Sequence, residues 1–150
     1  MTNWNERFLE LANHVSKWSK DKHTGTSAII ATSDNRILSI GYNGFPSGCN
    51  DSVEERYERP IKYLWTEHAE RNAIYTAARN GININNSVMY LTWFPCADCA
   101  RAIIQSGIKK LICKQPDLDN KQWGEHFKIA LQMLKECGII VEYAGEKTNE

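Results

Sequence analysis

The sequence predicts an α/β fold in three layers: a five-stranded mixed sheet with helices on both faces. Three observations carry this expectation. Residues 26–32 and 36–43 are β-favouring runs joined by Ser33-Asp34-Asn35, a hairpin signal, so the sheet begins antiparallel. Each later strand candidate is separated from the next by a helical pattern, and such alternation needs crossover connections between parallel neighbours. With 150 residues, 42% of them hydrophobic and 24% charged, the chain has the size and composition of a single core and is expected to be one domain spanning 1–150.

Trp4, Phe8, Leu11, Val15 and Trp18 recur every three or four residues and mark an opening amphipathic helix. After the hairpin, residues 45–66 are the one long irregular stretch. Loops of that length inside a compact domain are usually functional, and this one reads as a lid or a subunit contact. Its Glu-Glu-Arg-Tyr-Glu-Arg core could also form a short helix. Residues 67–78 set Ala69, Ala73, Ile74, Ala77 and Ala78 at helical spacing, and Ser87-Val-Met-Tyr-Leu-Thr92 is a mostly apolar strand candidate. A helix over 97–106 and a strand over 109–113 follow. The last helix carries Trp123, Phe127, Ala130, Leu131 and Leu134; Gly138 ends it, and residues 139–143 form a fifth strand.

Two helix starts carry the chemistry. His68-Ala69-Glu70 opens one, and Pro95-Cys96-Ala97-Asp98-Cys99 opens the other. At a helix start, Cys96-x-x-Cys99 can turn both sulfurs to one point, and the unpaired N–H groups of that turn favour the thiolates that metal binding requires. One His and two Cys give zinc three protein ligands and leave a fourth position for water, the arrangement of catalytic rather than structural zinc. Zinc lowers the pKa of bound water from about 16 to about 7. Glu70 is not needed as a ligand and is free to move protons, first as base and then as acid. The competing reading, a helix-start histidine beside a buried or redox cysteine pair, explains Cys96 and Cys99 but leaves His-Ala-Glu unexplained. H-x-E followed by P-C-x-x-C is the signature of zinc-dependent nucleobase deaminases, which replace amino by oxo hydrolytically.

The stretch Ile40-Gly41-Tyr42-Asn43-Gly44-Phe45-Pro46-Ser47-Gly48-Cys49, taken with His68-Ala-Glu-Arg-Asn-Ala-Ile74 and Phe94-Pro-Cys-Ala-Asp-Cys-Ala-Arg-Ala-Ile-Ile-Gln-Ser-Gly-Ile108, resembles the deoxycytidylate (dCMP) deaminases. The resemblance runs over roughly residues 18–143 and implies the cytidine-deaminase-like fold with strand order 2-1-3-4-5. It implies conversion of dCMP to dUMP and ammonia, supplying dUMP for thymidylate synthesis. By position, it makes His68, Cys96 and Cys99 the ligands of one catalytic Zn2+ and Glu70 the proton shuttle. It also has Asn43 reach the sugar hydroxyl, the Ala69 backbone N–H hold the pyrimidine carbonyl, and Trp93 and Phe94 wall the base pocket. Aromatic residues beside a strand end are equally at home in a core.

The loop of Gly41, Tyr42, Asn43, Gly44, Phe45, Pro46 and Gly48 has three glycines and a proline, which open backbone conformations closed to other residues and let amides approach a phosphate. By itself this is also an ordinary tight loop after a hairpin. The resemblance makes it the site of a regulatory nucleotide, dCTP activating and dTTP inhibiting, with Mg2+ accompanying the triphosphate, in a homo-oligomer that is commonly a hexamer. Some relatives carry a second, structural zinc in this region. Cys49 stands in a suitable place but has no His/Cys set at metal spacing nearby, so one zinc is expected.

The charge balance bears on the substrate. Eighteen basic residues offset 18 acidic ones, whereas polynucleotide binders show a basic stripe, so a free nucleotide is expected and a polynucleotide is not. A monophosphate needs a cation, and Lys22, His23, Arg59 and Arg71 are nearest to the motif loops in sequence; Arg71 fits a solvent-facing position equally well. Another deaminase substrate (cytidine, dCTP, guanine, tRNA adenosine) or a silent nucleotide-sensing module are the rival readings. Five cysteines without a disulfide framework, no basic-then-apolar leader and no membrane-length apolar run make the cytoplasm the expected location, away from any membrane.

Overall fold

In the computed structural model, which describes residues 3–145, the chain opens with helix α1 (Trp4–Ser16). Its start is a capping box: the Asn3 side chain accepts from the Glu6 N–H at 2.9 Å, and the Glu6 carboxylate accepts from the Asn3 N–H at 3.1 Å. α1 buries Phe8, Ala12 and Val15. Trp18 lies beyond the helix end and meets His14 and Tyr42 edge-on, so it extends the predicted stripe onto the surface and not into the core.

The remaining elements are β1 (Ser27–Ala31), β2 (Ile37–Tyr42), α2 (Lys62–Trp65), α3 (Ala69–Arg79), β3 (Val88–Leu91), α4 (Ala97–Gln105), β4 (Lys110–Cys113), α5 (Gly124–Glu136) and β5 (Ile140–Tyr143). The sheet order is β2-β1-β3-β4-β5. β1 runs antiparallel to β2 and β3, while β3–β4 and β4–β5 are parallel, as the hairpin followed by helical crossovers requires. The β1–β2 register slips between Ile30 and Ala31, and Asn35 turns the hairpin with φ 69°.

α1 covers one face, over Ile29, Ala31, Val88, Tyr90 and Ile112. α3, α4 and α5 cover the other, over Ala28, Ile30, Met89, Leu91, Leu111 and Cys113. β1 is buried along its whole length because helices cover both of its sides, which is why it reads as a continuous apolar run and not as an alternating one. Residues 45–66 are more ordered than their sequence suggests. Glu54–Tyr57 form a 3-10 turn, α2 follows, and Phe45 stacks on Tyr57 with ring centroids 4.5 Å apart.

Gly41 lies within β2, where it decides how closely that strand approaches α3. A Cβ placed there would meet the backbone N of Ala73 and the carbonyl oxygen of Ala69. Its freedom from a side chain therefore serves strand–helix packing; no room remains for a ligand. Gly41→Ala is expected to destabilise the fold by about 1–3 kcal/mol, read as a lower midpoint of denaturant unfolding at unchanged slope. An unchanged midpoint would show that β2 and α3 can separate without cost.

Candidate active site

β3 carries the chain from the end of α3 to the start of α4, so the two motif-bearing helix starts face each other. His68 caps α3 in extended conformation (φ −76°, ψ 152°), and Cys96 does the same for α4 (φ −69°, ψ 173°). Neither side chain caps its own helix, and both are free to turn inward. His68 Nδ1 lies 3.5 Å from Cys96 Sγ and 3.4 Å from Cys99 Sγ. The three ligand atoms lie within 4.8 Å of one another, and among the described residues they are the one His/Cys/acid group gathered this way. One imidazole nitrogen and two buried sulfurs at convergent positions suit zinc with its fourth position open. Cys49 belongs to no such group among the described residues.

The electrostatics favour a thiolate at Cys96. The Cys96 thiol is pulled down to about 4, first by the hydrogen bond from Cys99 and then, against burial, by His68; Cys99 is pushed up in turn. Glu70 is only 5% exposed, and burial drives its carboxyl above the ordinary range, only partly offset by His68. Burial also acts to lower His68, but Cys96 and Glu70 outweigh it. A carboxyl raised in this way accepts a proton more readily than an exposed one.

His68, Glu70 and Cys96 line a pocket of about 750 Å³, counted to its open mouth. Trp93 and Phe94 line it as expected, and Phe94 also meets Phe127 edge-on at 5.6 Å. Cys99 lies behind Cys96 and is fully buried. Ala69, also fully buried, is the first residue of α3, so its N–H has no intrahelical partner. Asn43 lines the pocket while pinning the entry to β1: its Oδ1 accepts from the Thr26 N–H at 2.8 Å and its Nδ2 donates to the Thr24 carbonyl at 2.9 Å.

Two parts of the site come from elsewhere in the chain. Trp123 lies edge-on to His68 at 5.8 Å, and His126 Nδ1 accepts from the Ala97 N–H at 3.3 Å, so α5 braces both ligand-bearing helix starts. The sequence marked Trp123 and Phe127 only as one face of the last helix; nothing local shows that this face reaches the pocket. The other part is the wall supplied by residues 59–66, where Arg59, Lys62, Tyr63 and Thr66 line the pocket.

Of the four cations nearest the motifs in sequence, Arg59 alone lines the pocket. Lys22 pairs with Glu54 at the surface, and His23 is exposed. Arg71 pairs with Glu67 at 2.5 Å and reaches Asp98 at 3.8 Å, which spans the starts of α3 and α4 instead of facing substrate or bulk solvent. Of the loop residues, Asn43 alone lines the pocket. Tyr42 packs on Trp18, Phe45 on Tyr57, and Gly44 pairs with Glu67 through reciprocal backbone bonds of 3.1 and 2.8 Å. Pro46 accepts from the Cys49 N–H at 3.0 Å, and Gly48 turns with φ 93° in open space. The loop thus stands beside the pocket, joined to the residue preceding His68. Among the described residues no helix is long and apolar enough to cross a membrane.

Comparison with known proteins agrees with this geometry. Residues 2–115 match the family described as cytidine and deoxycytidylate deaminase zinc-binding region. A protein of Aliivibrio fischeri, named as an uncharacterized deaminase in the luxG 3′ region, is 41% identical over 144 residues, covering 95% of each chain. Human deoxycytidylate deaminase is 40% identical over 114 residues, 73% of this chain, and the match spans 63% of the human protein, under two thirds of its length. Among solved structures, the dCMP deaminase of cyanophage S-TIM5 in complex with dCMP and dUMP superposes with a TM-score of 0.74 at 28% identity, covering 92% of this chain and 94% of that one. With residues 2–115 matching that family and a zinc-type His/Cys/Cys group gathered at two facing helix starts, this chain belongs to the cytidine and deoxycytidylate deaminase family.

Proposed function

We propose that the protein hydrolyses dCMP to dUMP and ammonia, with zinc held by His68, Cys96 and Cys99 and with Glu70 moving the protons. The observation that carries this reading is the convergence of those three ligand atoms within 4.8 Å in a pocket that Glu70 also lines. When bound, zinc supplies a Lewis acid that makes water nucleophilic near neutral pH. Glu70 accepts a proton from the attacking water and passes it to N3 of the ring, then takes the remaining proton from the new C4 hydroxyl and delivers it to the leaving amine. The C4–N bond breaks, C4 becomes a carbonyl, and ammonia departs. The free Ala69 N–H holds the pyrimidine carbonyl. Asn43 uses one Nδ2 hydrogen on Thr24 and keeps the other for the sugar hydroxyl. Trp93, Phe94 and Trp123 exclude water from the ring.

The same reading extends outside the pocket. The loop around Gly44 and Gly48 takes a regulatory triphosphate, dCTP activating and dTTP inhibiting, with Mg2+ on its phosphates; support lies in its exposed position and its backbone bonds to Glu67, next to His68. The chain works as a homo-oligomer, a hexamer by resemblance. Five free cysteines favour the reducing cytoplasm, where dUMP feeds thymidylate synthesis.

The test is a parallel turnover screen of dCMP, cytidine, dCTP and guanine with ammonia release measured. dCMP is expected to have the highest kcat/KM, raised by dCTP and lowered by dTTP. Preference for cytidine would end the dCMP assignment while leaving the deaminase site intact.

A further inference from the structure

Arg71 stands in the first turn of α3, three residues after His68, and its side chain is only 20% exposed. A guanidinium held that far out of water needs carboxylates on its donors. It has two, and they belong to different ligand-bearing helix starts. Its Nε donates at 2.5 Å to Oε1 of Glu67, the residue before His68. Its Nη1 lies 3.8 Å from Oδ2 of Asp98, which stands between Cys96 and Cys99.

Both carboxylates are themselves tied to the ligand segments. The Glu67 oxygen that takes Arg71 also accepts the His68 N–H at 3.0 Å, so it fixes the backbone of the imidazole ligand. Reciprocal backbone bonds to Gly44 anchor Glu67 in turn. Arg101, one turn along α4, takes the other Asp98 oxygen, Oδ1. Facing helix N-termini repel, because each carries the positive end of its dipole. A carboxylate at each start relieves its own helix, but the two carboxylates then repel each other. One guanidinium between them offsets both repulsions, and its planar fork suits two acceptors where an ammonium is a single point charge. Stability alone does not account for this placement, since partly exposed ion pairs contribute little to folding.

We propose that Arg71 is a positioning residue for the metal site: by joining Glu67 to Asp98 it fixes the spacing of the two helix starts before metal arrives, and so raises zinc affinity. This rests on the zinc reading of the site but not on dCMP as the substrate. Ligands gathered in advance leave a smaller ordering cost for the binding step.

The experiment is chelator competition on zinc-loaded wild type, Arg71→Met, Asp98→Asn and the double variant, with the melting temperature of each zinc-free protein as second readout. Arg71→Met is expected to weaken zinc binding about 10- to 100-fold, the size of outer-shell effects on metal sites. Asp98→Asn should weaken it too, and the double variant no further than Arg71→Met alone, because both substitutions remove one bridge. The zinc-free melting temperatures should stay close to that of wild type. Unchanged affinity in Arg71→Met would overturn the proposal, as would losses that simply add in the double variant. So would a fall in zinc-free melting temperature large enough to account for the lost affinity. If Arg71→Met fails to fold, Asp98→Asn decides alone, because that carboxylate is close to half-exposed; unchanged affinity there would overturn the proposal. Wild type that holds no zinc would overturn the metal reading together with the proposal, a result distinct from wild type and variants that hold it equally.

Discussion

Glu70→Ala is expected to abolish turnover while leaving zinc bound and the fold intact. The carboxyl hydrogen-bonds Cys99 but is not one of the three gathered ligand atoms and caps no helix; what it would supply is a proton acceptor and donor beside the reacting ring. Positioned acid–base catalysis contributes about 10²- to 10⁴-fold, equivalent to about 3–5 kcal/mol of barrier. Because the proposed role has Glu70 carry both proton transfers, the loss should lie at the upper end and appear in kcat, with KM little changed. Zinc content by atomic absorption and an unchanged melting temperature are the controls. Activity surviving in a zinc-replete variant would falsify the proton-shuttle role.

The second large effect is expected at Cys96→Ser, which should lose both zinc and turnover. A serine hydroxyl does not ionise at neutral pH and is a poor ligand where a thiolate is a good one. The position separates two contributions that usually fall together. Cys96 is the N-cap of α4, and serine is among the preferred N-cap residues, so the substitution leaves that helix start supported without metal. Any fall in melting temperature therefore reports lost zinc. Chelator competition should show a loss of affinity beyond the 10- to 100-fold that outer-shell changes cost. Wild type stripped by the same chelator should melt where the variant does. A variant that keeps stoichiometric zinc would remove Cys96 from the ligand set.

Much of the catalytic centre was legible because its spacing is local. Cys96 and Cys99 share one helical turn, Glu70 follows His68 by two residues, and the apolar periods of α3 and β3 place both motifs at element ends. Contact with a metal is then a matter of two helix starts meeting. The hairpin and the helix–strand alternation were legible for a similar reason: periodicity and turn chemistry act over a few residues, and crossovers leave few topologies open.

The pocket wall was not legible. Sequence proximity to the motifs pointed to Lys22, His23 and Arg71, yet Lys22 answers Glu54 at the surface and Arg71 answers Glu67 and Asp98. The buried cation is Lys62, whose partner Asp21 lies 41 positions away. No window of sequence holds that pair together. α2 has no side-chain cap to announce it, and Trp123 reads like any apolar residue of an amphipathic helix until α5 is laid against α3 and α4. Gly41 reads as a loop residue until the backbone of α3 is seen against it.

The sequence by itself determined the fold class and set His68, Glu70, Cys96 and Cys99 at two helix starts, since each follows from residue types at short, fixed separations. Only the tertiary structure decided which cations face the pocket, which aromatics brace His68 and Ala97, and why Gly41 must be glycine. Those depend on contacts between segments far apart in the chain, whose distance in space is set by how three helices pack on one sheet face.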